Sequence, residues 1–256
     1  MKGHEMKLST LSLDHLGLVA GIFDELNISE VIDNAIPKTR DYKLQHSAIV
    51  KGLVINGLGF TERRLYIYPA YFKDLALEKL FGPGIAPENF NEDSVGRALD
   101  RIYRFGSTKL FNLIAMKCMQ QLAFGTQLLH VDTTSFSAHG QYEGEDCRPA
   151  MEITFGHPKD GRWDLKQFIL SMVTNQYGVP LFVEAHSGNK SDKKTLIETI
   201  EKLKSNLNFS DRTYFVADSA FFSSENINLL GDRTLWITRV PSTVGEAKQL
   251  LNQILK

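Results

Sequence analysis

The chain has 256 residues, of which 43% are hydrophobic, and a formal net charge of -1. This length and apolar content are enough to bury a core, so a disordered chain, a collagen-like chain and a small disulfide scaffold are excluded. A charge balance so close to zero gives no indication of partners.

Cysteine content and the N-terminal sequence indicate the cellular compartment. The two cysteines, Cys118 and Cys147, lie in unrelated surroundings, so neither a disulfide framework nor a CxxC metal site is expected. The N-terminal residues lack the apolar core of a signal peptide, and no apolar run approaches the roughly 18 residues of a membrane span. We therefore expect a cytoplasmic protein that does not enter the membrane.

The first half of the chain has the three-to-four spacing of apolar residues that is typical of helices. This spacing predicts one helix from Leu11 to Ile36 that Pro37 closes, a second from His46 to Phe60 and a third from Tyr71 to Phe81. The breaker 82–84, Gly-Pro-Gly, ends the third helix.

Two more helices are predicted on either side of Gly106. Asn91 to Asp93 offer capping side chains in front of the first, and the second runs from Leu110 to Phe124. A DNA-binding helix-turn-helix and an ordinary αα-hairpin both fit this pattern.

From Leu128 onward, short β-rich segments bounded by turn residues replace the helical spacing. The predicted strands are 128–132, 168–174, 181–185, 214–217 and 235–240, with a helix over 191–207 between the third and fourth. The tight turn at 178–180 favours an antiparallel meander, and helices between the later strands favour parallel crossovers. We therefore expect a mixed α/β (α+β) chain: a helical domain over 1–125 and a ribonuclease H-like mixed sheet over 126–256, the latter by fold-level analogy.

Two aspartates follow strands of this predicted sheet in the same way. Asp132 ends the first strand and Asp218 ends the fourth. In the expected topology these strands are parallel neighbours, so both carboxylates would point into one crevice. Hard oxygen ligands on a rigid sheet suit Mg²⁺ or Mn²⁺, and two such ions can drive phosphoryl displacement. An Asp after a strand also commonly caps the next turn, and that reading stays open.

Basic residues in both halves are candidates for DNA contact. Arg97 and Arg101 fall on one face of a predicted helix and could contact phosphates, although Asp93 at a compatible spacing favours an ordinary solvated face. In the second half, Lys166 and Lys159 lie at a strand end or in a loop and could approach substrate phosphates. Loop lysines are most often only solvated.

Several motifs together resemble the DDE transposases of bacterial insertion sequences, in particular the insertion sequence 1634 group of the insertion-sequence-four superfamily. The resemblance covers nearly the whole chain. It includes a GHPKDGRWDLKQ stretch at 156–167, in which Pro158 and Trp163 depart from the family pattern, and GNKSD at 188–192. The remaining matching segments are 91–93, 96–100, 130–134 and 216–220.

This resemblance implies DNA transposition, with Asp132 and Asp218 as the first two of three metal-binding carboxylates and a homo-oligomer in the complete enzyme. The third carboxylate of the family is a glutamate in a Tyr-x2-Arg-x3-Glu-x6-Lys signature well beyond the second aspartate. Glu225 and Glu246 lack Tyr and Arg at the required offsets. The expectation is therefore a transposase lacking the C-terminal part of its catalytic domain.

Two functions of different classes follow. The first is a transposase, an enzyme by family resemblance, that is inactive alone because it lacks the third metal-binding carboxylate. The second is a non-catalytic fragment that binds DNA or pairs with a full-length transposase, as an inhibitor or a relic.

Overall fold

A computed structural model describes residues 10–39, 43–58, 67–143, 151–206, 212–231, 234–241 and 244–254. The chain forms two compact units, Met1–Gln121 and Leu122–Lys256. None of the helices in the described ranges is both long and apolar enough to cross a membrane.

The first unit is helical. Its described α-helices are α1 (Leu16–Glu25), α2 (Ile28–Ala35), α3 (His46–Gly57), α4 (Tyr68–Phe72), α5 (Leu77–Phe81), α6 (Glu92–Phe105) and α7 (Ser107–Leu122). Aromatic rings fill much of its core: Phe72 and Phe90 are fully buried, with ring centres 4.3 Å apart. The Cβ of any larger residue at Gly52 would lie 2.9 Å from the Phe90 ring, so α3 passes close to these rings only because it has a glycine there.

The predicted helix from Leu11 to Ile36 is wrong in its continuity. It is two helices, α1 and α2, separated at Asn27, whose φ of +53° lies in the left-handed region. Asparagine tolerates that conformation better than most residues. The apolar spacing runs on across the break, so periodicity alone does not reveal it.

The predicted helix from Tyr71 to Phe81 is also two helices, α4 and α5. Between them, the N–H of Ser12 donates to Asp74 O, and the N–H of Ala76 donates to Ser12 O, both at 2.9 Å. Backbone groups in this segment therefore bond to a distant strand-like segment instead of continuing a helix.

The capping prediction before α6 is confirmed. The Asn91 side chain accepts a hydrogen bond from the Ser94 N–H at 3.0 Å, which satisfies one of the free donors of the first turn. Gly106, with φ +101°, ends α6, and α7 begins at the next residue.

The second unit contains the sheet. Its described elements are β1 (Leu128–Ala138), β2 (Lys166–Asn175), β3 (Pro180–Ser187), α8 (Asp192–Asn206), β4 (Tyr214–Ala217), α9 (Ser224–Leu230), β5 (Leu235–Thr238) and α10 (Gly245–Ile254). The strand order is β3-β2-β1-β4-β5, with β1, β2 and β3 antiparallel in turn, and β4 and β5 parallel to β1. This is the predicted meander followed by parallel crossovers, and the predicted mixed sheet with helices is confirmed.

Strand alternation gives this sheet two different faces. One face is covered by α8, and its side chains are buried: Leu129, Val131, Val173 and Phe215. The other is the open face, whose most exposed apolar side chains are Phe136, Met172, Tyr214 and Ile237. Asp132 belongs to the open face, since it pairs with Met172 across β1 and β2.

Candidate active site

The register of β1 and β4 places Asp132 and Asp218 side by side. The last pair of these parallel strands is Val131 with Ala217, and each aspartate is the next residue along the chain: Asp132 within β1 and Asp218 directly after β4. Neighbouring strands lie about 4.8 Å apart, and in-register side chains point to the same face. Both carboxylates are exposed. The parallel pairing that the prediction required is therefore present.

The prediction that Asp132 ends its strand is wrong. The strand β1 continues to Ala138, and all of its later residues pair with β2. What ends at Val131 is the pairing with β4. Beside Asp132, therefore, β4 stops while β1 and β2 go on together.

Each aspartate uses one oxygen in a local hydrogen bond. Asp132 Oδ1 accepts the N–H of Thr133 at 2.7 Å, and Asp218 Oδ1 accepts the N–H of Ala220 at 2.9 Å. Asp218 thus does cap the short 3-10 turn that follows β4, as an ordinary post-strand aspartate would. Within the described part of the chain, the second carboxylate oxygen of each aspartate has no hydrogen-bond partner.

The two aspartates supply some, but not all, of the ligands that a hard divalent cation needs. Two adjacent, exposed carboxylates supply anionic oxygen donors of the kind that Mg²⁺ and Mn²⁺ take. Among the described residues, however, no group of three or more His, Cys, Asp or Glu side chains is placed to hold a metal ion. Of the two late glutamates, Glu225 is exposed in the first turn of α9, and the side chain of Glu246 lies outside the described residues. Within the described ranges, the pair is therefore the only part of the expected three-carboxylate set that is brought together.

A cation that the sequence left undistinguished lies at this pair. The Lys159 Nζ is 3.8 Å from Asp132 Oδ1 and donates to the carbonyl oxygen of Thr133. The sequence ranked Lys159 with other loop lysines. Only its place inside the GHPKDG segment could have singled it out, because its contact with Asp132 joins parts of the chain that no local spacing relates.

The loop that carries Lys159 is tied to the outer part of β1. Ser137 Oγ donates to Asp160 Oδ2 at 2.7 Å, and this hydrogen bond is the main cause that lowers the pKa of Asp160. Further along the loop, the Arg162 guanidinium donates two hydrogen bonds, of 2.9 and 2.8 Å, to Asp164. That pairing lowers the pKa of Asp164 to about 2.

The motif glycines meet at a buried glutamine. Gln167 is 1% exposed, and its Nε2 donates to Gly188 O at 2.7 Å. A Cβ on Gly156 would lie 1.9 Å from Gly188 O, and a Cβ on Gly188 would lie 2.1 Å from Gln167 O. Only glycine fits at either position. The two stretches that carried the resemblance are thus packed against each other.

A cavity of about 460 Å³ opens beside this junction. Its lining residues come from the same two motifs, from β2 and from the turn after Asp218: His157, Gln167, Ile169, Asn189, Lys190, Ser191 and Ala220. Lys190 is paired there with Glu198 at 2.5 Å. Polar side chains of the two motifs thus form part of the cavity wall.

The three residues predicted to contact DNA all have partners within their own units. Arg97 pairs with Asp93 at 3.9 Å, as the alternative reading of that helix face expected, and Arg101 donates to Thr39 Oγ1 at 2.9 Å. Lys166 donates to the carbonyl oxygen of Gln141, and its side chain is only 18% exposed. Contact of these residues with DNA stays a prediction.

Comparison with protein families identifies the class of this chain. Residues 123–255 match the family described as "Transposase DDE domain", and residues 8–116 match a "Domain of unknown function (DUF4277)". The chain therefore belongs to the DDE transposase family. The match covers the whole sheet and both aspartates, Asp132 and Asp218.

Comparison with solved structures finds distant similarity to transposase complexes. One is "Mos1 transposase paired-end complex with left transposon end", with 11% identity, 90% of this chain and 78% of that chain covered, and a TM-score of 0.30. Another is "Crystal structure of a pre-cleavage Mos1 transpososome", with 10% identity, coverage of 94% and 84%, and a TM-score of 0.30. Comparison with curated proteins found no match.

Proposed function

We propose that this chain is an insertion-sequence transposase that cuts and joins DNA strands by metal-dependent phosphoryl transfer. Family membership supports the class of reaction. The observation that supports the assignment of residues is the β1–β4 register, in which Asp132 and Asp218 directly follow the last pair of these neighbouring parallel strands. These two residues would hold a divalent cation, Mg²⁺ or Mn²⁺.

The cation would supply the chemistry that side chains alone lack at such an exposed site. In-line displacement at a phosphate needs both the attacking and the leaving oxygen stabilised, which two metal ions can do. The protein's part is to fix the ions on a rigid sheet. Asp132 and Asp218 suit that task, because each already has one oxygen held by a backbone N–H and keeps the other for a ligand.

A third carboxylate is needed to complete this site, and among the described residues none lies with the pair. Each missing anionic ligand lowers cation affinity. We therefore infer that the chain binds metal weakly and does not cut DNA without a further carboxylate. The same observation favours a second candidate function, a non-catalytic fragment that binds DNA or pairs with a complete transposase.

The partner is DNA, at both the transposon ends and the target, and the complete enzyme acts as a homo-oligomer in the cytoplasm. Residues Arg97, Arg101 and Lys166 are the proposed contacts. In the structure these three side chains bond to other residues of the same chain, so DNA phosphates would have to displace those partners. Phosphate contacts of this kind weaken steeply as salt rises.

The test is a strand-cleavage assay on DNA that carries the element's ends, run with Mg²⁺ and with Mn²⁺. We expect no cleavage by the chain alone and cleavage when a segment with the family's glutamate signature is supplied. Asp132→Asn and Asp218→Asn should abolish that activity, while Glu201→Gln, an exposed carboxylate change on α8, should leave it intact. Cleavage that survives both aspartate substitutions would overturn the site. Cleavage by the chain alone that needs Asp132 would refute the inferred inactivity.

A further inference from the structure

The Lys159 ammonium and a divalent cation would compete for the same carboxylate. Lys159 Nζ lies 3.8 Å from Asp132 Oδ1, and the two side chains are 47% and 78% exposed. An ion pair this exposed is weak and exchanges its partner easily. It is nonetheless close enough to repel a second cation on Asp132.

The loop, and not the ion pair, holds Lys159 in place. The Lys159 N–H donates to Ser135 Oγ at 3.1 Å, and the neighbouring Asp160 accepts from Ser137 Oγ at 2.7 Å. The Lys159 ammonium itself donates to the Thr133 carbonyl. Three alternate residues of β1 therefore fix this segment. The ammonium would remain near Asp132 even after Asp132 takes a different partner.

If a metal ion takes the place of Lys159 on Asp132, the Lys159 ammonium stays nearby and needs a new anionic partner. A metal ion on Asp132 would draw the phosphate of a DNA strand to the same place, and an ammonium forms strong charge-assisted hydrogen bonds with phosphate oxygens. We propose that Lys159 neutralises Asp132 in the metal-free site and exchanges to a substrate phosphate when metal and DNA bind. The inference rests on the proposed function, since it takes Asp132 as a metal ligand.

The first measurement is calorimetric titration of the whole chain with MnCl₂ alone. Lys159→Met removes the charge and keeps an unbranched side chain, and we expect it to bind Mn²⁺ about three- to tenfold more tightly than the parent. Lys159→Arg should bind like the parent. Lys202→Met is the matched control, because Lys202 is 46% exposed and is also paired with a carboxylate, that of Glu184.

The sign of this effect separates the proposal from structural damage. A loop that merely lost its packing would disturb Asp132 and weaken Mn²⁺ binding, whereas loss of a competing cation strengthens it. The second measurement is the salt dependence of duplex DNA binding in the presence of Mn²⁺. Lys159→Met should lower the slope of log K against log salt by about 0.9, as expected for one lost phosphate contact.

The outcomes are distinct. Tighter Mn²⁺ binding together with a smaller salt slope supports the exchange. Unchanged or weaker Mn²⁺ binding by Lys159→Met, with the parent binding measurably, overturns it while leaving the aspartate pair intact. If the parent, Lys159→Met and Asp132→Asn all fail to bind Mn²⁺, then the proposed metal pair is itself overturned, and the exchange with it.

Discussion

A buried lysine makes the helical unit depend on one acidic side chain. Lys51 in α3 is 5% exposed, and its ammonium donates hydrogen bonds of 2.8 Å to both carboxylate oxygens of Asp24 in α1. The same ammonium lies 5.7 Å from the ring centre of Phe23 and 5.9 Å from that of Phe81. Asp24→Ala would leave this cation against two aromatic faces.

The cost of that change can be bounded. Removing one partner of a fully buried ion pair costs about 3–5 kcal/mol. Asp24 is 59% exposed, so water reaches the vacated position, and the rings retain part of the attraction. We expect Asp24→Ala to lower the free energy of unfolding of the helical unit by about 2 kcal/mol. Lys51→Met, which replaces the cation by an apolar side chain, should cost less than about 1 kcal/mol.

Urea unfolding followed by two signals tests this. Both tryptophans, Trp163 and Trp236, belong to the second unit, so their fluorescence serves as an internal control while far-UV circular dichroism follows the helices. The double variant of Asp24→Ala and Lys51→Met should be as stable as Lys51→Met alone, because no buried cation is left unpaired. A double variant that loses the sum of the two single effects would refute the coupling.

Two further predictions concern the second unit, and tryptophan fluorescence during urea unfolding measures both. Gly188→Ala should cost about 1–3 kcal/mol, because its Cβ would overlap Gln167 O, whereas Gly245→Ala, which meets no described atom within 4 Å, should cost nothing; equal stability of the two variants would contradict the packing argument. Burial, with a smaller effect of Lys190, lowers the pKa of His186 below its ordinary 6.5. As pH falls through 6.5 the unfolded chain takes up this proton first, so stability is present above that pH and is lost below it. His186→Gln should remove this part of the pH dependence, and an unchanged slope would count against it.

The order of the sheet could be predicted because each strand is short, apolar and bounded by turn residues. The predicted strand 214–217 has the same limits as β4 in the structure. Because a helix precedes it, its parallel pairing with β1, which sets Asp218 beside Asp132, could also be predicted. What local pattern could not show was the length of β1. Apart from Phe136, the residues from Thr133 to Ser137 are small and polar, and they are extended because β2 pairs with every one of them.

The rest of the site depends on contacts between distant parts of the chain. Lys159 lies 26 residues from Thr133, to which it donates, and no periodicity connects them. The roles of Gly156 and Gly188 likewise come from their approach to one another and to Gln167. Asn27 shows that a local feature can also escape prediction, because its left-handed backbone breaks a helix while the spacing of apolar residues continues across it.

The extension of β1 past Asp132 has a consequence for solubility. From Thr133 to Ala138, β1 has β2 on one side, and within the described residues no strand pairs with its other edge. A bare strand edge invites pairing with a second chain, and proteins commonly protect such an edge with a charged lysine or a covering loop. The loop that carries Lys159 does both here, since it bonds to Thr133, Ser135 and Ser137. Deleting this loop would therefore expose an aggregation-prone edge and would also remove a cation from the proposed site, so only single substitutions can separate the two effects.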